Sequence, residues 1–138
     1  MRRSVTRPLV SVVIPVRRTQ TAFLEACLDS VSAQTAADSC ELVVVDDASG
    51  PSYAKALDRV LSRFDRSLPV RRVTLARRAR PGGARAAGFE ASAGRYVHFL
   101  DSDDLLAPEA IETVTPMLRA GAPWPSPTKR ASSRTGGT

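Results

Sequence analysis

Tyr96-Val97-His98-Phe99-Leu100-Asp101-Ser102-Asp103-Asp104 is the stretch on which the fold turns. Its first five residues are mostly apolar, aromatic or β-branched, the composition of a short buried strand. It then stops on three carboxylates in four residues. A strand that runs into a polar cluster marks one end of a sheet, and the rest of the chain shows whether other strands end the same way.

They do. Leu9-Val10-Ser11-Val12-Val13-Ile14 predicts a strand buried on both faces, and Pro15-Val16-Arg17-Arg18 follows it. Leu42-Val43-Val44-Val45 predicts a second, ending at Asp46-Asp47-Ala48-Ser49-Gly50. Val70 to Leu75 predicts a third, weakened by Arg71 and Arg72. Between them, Phe23, Leu24, Cys27, Leu28 and Val31 recur at helical spacing, as do Ala54, Leu57, Val60, Leu61 and Phe64. Ala84 to Ala93 is a third helical stretch. Thr19 or Thr21 is expected to cap the first helix, and Pro51 to open the second. Pro81-Gly82-Gly83 is expected to form a turn, and Gly94 to cap the third helix. Pro108 opens a last helix with Ile111 and Val114 inward, which Pro116 should end or kink.

Strand and helix thus alternate four times with short connections. That predicts an α/β fold: βαβ units, right-handed crossovers and a parallel sheet. Such sheets bind ligands at the carboxyl ends of their strands. The polar clusters after Ile14, Val45 and Leu100 therefore share one rim.

The 138 residues suit one domain, and 43% hydrophobic with 25% charged content is that of a soluble globular chain. We expect residues 1–8 to be a basic extension, residues 9–120 the domain, and residues 121–138 a disordered Pro/Ser/Arg tail. No apolar stretch approaches the length of a membrane span. Met1-Arg2-Arg3 and the apolar run after it imitate a signal peptide, but Pro15 and Arg17-Arg18 cut the run short and no small-residue cleavage site follows. The expected location is the cytoplasm, with peripheral contact at the cytoplasmic face of a membrane compatible with the basic segments. Cys27 and Cys40 are expected to be free thiols, Cys27 in the core. A single histidine, His98, excludes a multi-histidine metal site and argues against a hydrolase triad. The net charge of +6 invites a nucleic-acid reading, but aromatics at 5% and no recognition motif argue against it.

Asp101, Asp103 and Asp104 repel one another, and a cation among them relieves this. Mg²⁺ and Mn²⁺ take oxygen ligands and share them with phosphates. A divalent metal would let the acidic cluster face a diphosphate and would stabilise a departing nucleoside diphosphate. For Asp104 alone a helix-capping role serves equally well. A carboxylate of the Asp46-Asp47 pair can accept hydrogen bonds from a base or ribose, or the segment is a turn capped by Ser49. Arg80 and Arg85, flanking Pro81-Gly82-Gly83, have the chemistry to approach phosphate. No Walker lysine motif or dinucleotide glycine fingerprint is present.

Taken together, several stretches resemble the glycosyltransferase family 2 domain, a Rossmann-like GT-A fold. They are Val10-Ser-Val-Val-Ile-Pro-Val, Leu28-Asp-Ser-Val-Ser-Ala-Gln-Thr, Glu41-Leu-Val-Val-Val-Asp-Asp-Ala-Ser, Ala84-Arg-Ala-Ala-Gly and Gly94-Arg-Tyr-Val-His-Phe-Leu-Asp-Ser-Asp-Asp. The resemblance covers roughly residues 9 to 118 and implies transfer of a sugar from a nucleotide sugar, often a UDP-sugar, to a glycan, lipid or protein acceptor, usually with inversion. It implies that Pro15, Val16 and Arg17 line the nucleotide pocket, that Asp47 contacts the base, and that Arg80 or Arg85 lies near the nucleotide. It makes Asp101-Ser102-Asp103 a DxD motif, with Asp103 the metal ligand and Asp101 a second ligand or a ribose contact. The cofactor would be Mg²⁺ or Mn²⁺.

Three positions depart from the family pattern: Arg17-Arg18 stands where Tyr-Asn is usual, Arg80 where Asn precedes Pro-Gly, and Ala86 where Asn is frequent. The sequence also ends before the region in which the family carries its acceptor contacts and general base, so the sheet is expected to be incomplete relative to a full domain and the base absent. The alternative reading is a truncated, non-catalytic nucleotide-binding module or inactive fragment. A related α/β nucleotidyltransferase is a further enzymatic competitor.

Overall fold

The computed structural model describes residues 7–64 and 67–121. In chain order it contains β1 (Val10–Val16), α1 (Thr21–Ser32), a single 3₁₀ turn (Ala37–Ser39), β2 (Cys40–Asp46), α2 (Pro51–Ser62), β3 (Val70–Thr74), α3 (Arg80–Ala91), β4 (Tyr96–Phe99) and α4 (Ala110–Arg119). The four strands form one sheet in the order β3-β2-β1-β4, parallel throughout. Val10 stands opposite Cys40 on one side and Tyr96 on the other, and Leu42 stands opposite Val70.

The central strands are the continuous apolar runs, because both of their faces are covered. Val10, Val12, Ile14 and Val16 of β1, with Leu42 and Val44 of β2, pack against Leu24, Cys27, Leu28, Val31, Leu57, Val60, Ile111 and Leu118 from α1, α2 and α4. Val13, Val43 and Val45 point to the other face and meet α3 through Ala84 and Ala87. Right-handed crossovers force this division: β1 to β2 to β3 moves one way across the sheet, and β3 to β4 returns over β2 and β1, so its helix lands on the opposite face. The arginines that weaken the third strand belong to an edge. Arg72 pairs with Asp58 of α2, and Arg71 pairs with Glu41.

α3 lies close to the sheet because of Gly88. A Cβ there would stand 2.3 Å from Val13 Cγ1 and 3.0 Å from Val45 Cγ2. Gly94 allows a second close approach, where a Cβ would lie 2.6 Å from Ser11 Oγ and 2.7 Å from the Ser11 nitrogen. The Gly94 amide instead donates to Ser11 Oγ at 2.8 Å, and Ser11 donates on to Glu41 at 2.6 Å. Glu41, 2% exposed, also accepts from the Ala93 amide and from Arg71. Burial pushes its pKa up, but the Ser11, Ala93 and Arg71 contacts outweigh burial and hold it below its ordinary value.

Several local expectations are corrected. Pro81-Gly82-Gly83 is the first turn of α3 rather than a separate turn, since proline is well suited to a helix start where its missing N–H costs nothing. Gly94 does not cap that helix, which ends at Ala91 with Ser92 extended. Pro116 does not end α4, which runs on to Arg119 with Ile111 and Leu118 anchored in the core. The last helix opens at Ala110 rather than Pro108. No threonine caps α1: its N-cap is Gln20, without a side-chain bond. Ser49 does not cap α2, whose N-cap is Gly50. Cys27 and Cys40 are free and buried. The expected tail at residues 121–138 falls, apart from Gly121, outside the described residues, as do residues 1–6 of the expected extension.

Candidate functional site at the carboxyl rim

β1 leads to α1 on one face of the sheet, while its neighbour β4 is reached by a crossover on the other. Strand order reverses between them, the place at whose carboxyl edge such sheets bind ligands. Val16-Arg17-Arg18-Thr19 enters from β1, and Asp101-Ser102-Asp103-Asp104 from β4. Thr19 and Ser102 hydroxyls lie 2.5 Å apart and tie the two loops together.

The loop after β2 is stitched to the same place. Arg17 donates to the Ala48 carbonyl at 3.0 Å, and Arg18 uses its amide on Ser49 Oγ and its Nε on the Ser49 carbonyl. Tyr53 donates to the Thr19 carbonyl at 2.5 Å. Burial and then the Asp46 charge push the Tyr53 hydroxyl up to about 12, so it stays a donor across the physiological range. Asp46 is turned inward, taking the Ser49 amide at 3.0 Å. Asp47 is 4% exposed, and its Oδ1 accepts the Ala79 amide at 2.6 Å, which brings the loop after β3 to the rim. Its other oxygen takes no hydrogen bond from a described residue, leaving an acceptor for a ligand.

Three non-glycine residues on this rim have positive φ: Arg18 (57°), Ala48 (58°) and Arg80 (63°). Two lie in the loops after β1 and β2, and the third opens α3. Positive φ favours glycine and asparagine and costs other residues about 1 kcal/mol or more. Arg18 and Arg80 are two of the positions where the family pattern carries asparagine, so the departures noted in the sequence fall where the backbone wants asparagine.

The acidic turn closes with the Asp104 amide on the Asp101 carbonyl at 3.0 Å. Asp103 is exposed and Asp101 half-buried, and neither forms an ion pair with a described residue. Their field reaches the Cys27 thiol beneath. Burial, then Asp104, Asp103 and Asp101, push it up to about 12. No group of three or more His, Cys, Asp or Glu among the described residues is arranged to hold a metal ion. Asp101 and Asp103, one half-buried and one exposed, offer the carboxylate oxygens that Mg²⁺ and Mn²⁺ take as ligands.

The sequence-selected residues divide accordingly. Pro15, Val16 and Arg17 lie at the end of β1 or just beyond it, Asp47 beyond β2, and Asp101 and Asp103 beyond β4, all at the carboxyl rim. Arg80 starts α3 and is exposed; Arg85 lies one turn further and is half-buried. Neither makes a hydrogen bond or ion pair with a described residue. Sequence reasoning missed Tyr53, and it assigned Thr19 to a helix cap rather than to Ser102.

The sequence that builds this rim is matched by a family model. The Glycosyl transferase family 2 model covers residues 11–134. The chain belongs to glycosyl transferase family 2. It is 40% identical over 109 residues to the O-antigen biosynthesis protein RfbC of Myxococcus xanthus, a stretch that makes up 78% of this chain and 8% of that protein. Solved structures share the sheet. Residues 1–349 of S. aureus TarS in complex with UDP-GlcNAc match with a TM-score of 0.70 at 23% identity, over 81% of this chain and 31% of that one. The mannosyltransferase PcManGT of Pyrobaculum calidifontis, in complex with GDP-Man and Mn²⁺, matches with a TM-score of 0.68 at 25% identity, over 86% and 34%. The family 2 chain therefore has the α/β, Rossmann-like sheet of the GT-A fold and spans a minor part of the length of these relatives.

Proposed function

We propose that this chain is the donor-binding part of a glycosyltransferase that holds a nucleotide sugar, a UDP-sugar, with Mg²⁺ or Mn²⁺ at the acidic turn. The observation that carries the proposal is the loop after β1, which joins the acidic turn through Thr19 and Ser102 and joins the loop after β2, next to Asp47, through Arg17 and Arg18. The Asp47 carboxylate accepts from the base. Pro15, Val16 and Arg17 wall the pocket, and Arg80 and Arg85 bring positive charge to the phosphates. Asp101 and Asp103 hold the cation, which supplies charge stabilisation for the departing nucleoside diphosphate. The cation of PcManGT is the supporting precedent. Transfer proceeds with inversion to a glycan, lipid or protein acceptor, in the cytoplasm or at the cytoplasmic face of a membrane.

Calorimetry with UDP, with and without Mn²⁺, tests this. Mn²⁺ is expected to strengthen binding, and Asp103→Asn to weaken the Mn²⁺ complex about tenfold, or ~1.4 kcal/mol. Binding that ignores Mn²⁺, or that Asp103→Asn leaves intact, rejects the cation site.

A further inference from the structure

The acidic turn sits in a segment, residues 100–109, without helix or strand. Within it the backbone bonds only once to itself, Asp104 to Asp101, before Ala110 bonds back to Ala107. So long an irregular segment needs outside anchors to hold one conformation against its chain entropy. One face of α1 and its C-terminal extension supplies them. Cys27 Sγ donates to the Asp101 carbonyl at 3.5 Å. Ser30 Oγ, three residues on, accepts the Leu106 amide at 2.9 Å while donating to the Cys27 carbonyl. Gln34, four residues further and 4% exposed, donates to the Ala107 carbonyl at 2.6 Å and accepts the Ile111 amide at 3.1 Å. Its second donor bond goes to the Ser30 carbonyl at 3.0 Å. The Thr35 amide donates to the Pro108 carbonyl at 3.1 Å.

Cys27 and Ser30 are spaced i, i+3 on one face of α1, and Gln34 follows two residues past its end to make a line of three. Such a stripe normally meets a partner through apolar packing. Here two of its three positions are hydroxyl and amide, engaged with backbone at Leu106, Ala107 and Ile111 on the C-terminal side of the carboxylates, while Cys27 holds Asp101 itself. Gln34 also replaces the missing cap of α4, which has no side-chain cap of its own.

We propose that Ser30 and Gln34 are positioning residues that set the backbone of the acidic turn from α1 and so set its hold on a divalent cation. The second half of the proposal rests on the cation site proposed above; the first half does not. Ligand-orienting groups outside the metal's own shell typically matter by about 10- to 100-fold in metal affinity.

Two measurements on the full chain test it, using Gln34→Met, which keeps side-chain length and removes every hydrogen bond, and Ser30→Ala. The first is the factor by which Mn²⁺ strengthens UDP binding. Both variants are expected to lower this factor about tenfold or more while leaving Mn²⁺-free UDP affinity unchanged. Loss of global stability alone would not alter that ratio in the folded fraction. The second is amide hydrogen exchange at Asp104, whose bond to Asp101 touches neither residue. Its exchange is expected to accelerate relative to Val13 and Val43 of the core strands. Asp104 exchange that stays in step with Val13, with an unchanged Mn²⁺ factor, overturns the proposal. If the unaltered chain binds no UDP, the functional reading fails, and the exchange measurement alone decides the anchoring. If Gln34→Met does not fold, Ser30→Ala carries both measurements.

Discussion

Thr19 and Ser102, eighty-three residues apart in sequence, bring their hydroxyls within 2.5 Å and join the loops of β1 and β4. The bond is part-buried, so each hydroxyl stands to lose its partner without gaining full hydration. In urea unfolding, Thr19→Ala and Ser102→Ala are each expected to cost about 1 kcal/mol, and the double variant to cost less than their sum, with a coupling of about 0.5–1.5 kcal/mol. Strict additivity would mean that the two loops are held apart from each other in solution.

Arg80 sets stability against function. Its φ of 63° strains an arginine, and asparagine adopts such a backbone more readily. Arg80→Asn is expected to raise stability by about 0.5–1 kcal/mol and, on the proposed function, to weaken UDP binding through the lost charge. Thermal unfolding and calorimetry on the same variant read the two effects, which have opposite signs. A variant that loses both stability and affinity would place the guanidinium in a structural role.

Gly88 and Gly94 are required by two different close approaches. Gly88→Ala drives a methyl group into Val13 and Val45, side chains of a packed core, and is expected to cost about 1–3 kcal/mol. Gly94→Ala meets the backbone of Ser11 and Val10, which cannot rotate away, and breaks the bond from its amide to Ser11 Oγ, so its cost is expected to be the larger of the two. Chemical denaturation of both variants ranks them, and the reverse order would show that β4 shifts freely along β1.

The acid limb of stability should have two stages. Burial lowers the His98 pKa from 6.5 to about 4, so the unfolded chain binds a proton there that the folded chain refuses. Stability is full above 6.5, falls as pH drops toward 4, and loses on the order of 3 kcal/mol across that window. Glu41 acts further down: its lowered folded pKa contributes stability above its ordinary value of 4.5, which is lost as pH falls through the folded pKa. Unfolding free energy measured from pH 7 to pH 3 should show both stages, and His98→Gln should flatten the first and leave the second.

Much of the fold could be read from periodicity. The apolar runs at Val10, Leu42 and Tyr96 announce strands because a strand covered on both faces has no polar side to show. Their alternation with helical spacing leaves a parallel sheet as the economical arrangement, and parallel strands put their polar ends on one rim. The errors were local and have a common cause. Intrinsic preference misplaces Pro81, Gly94 and Pro116, because contacts made elsewhere decide each: Gly88 against Val13 draws α3 in, Ser11 holds Gly94, and Leu118 carries α4 past its proline.

The sequence by itself determined which residues are chemically equipped for the site: carboxylates after two strands, arginines before and after Pro81, and a single histidine. Composition and spacing suffice for that, since both are local. Only the tertiary structure decided how those residues are held. Thr19 turns from a helix cap to a link with Ser102, Arg17 and Arg18 bind the loop after β2, and Gln34 fixes a segment seventy-three residues away. The physical reason is that a side-chain amide or hydroxyl has several backbone partners of nearly equal strength, and chain geometry alone selects which is within reach.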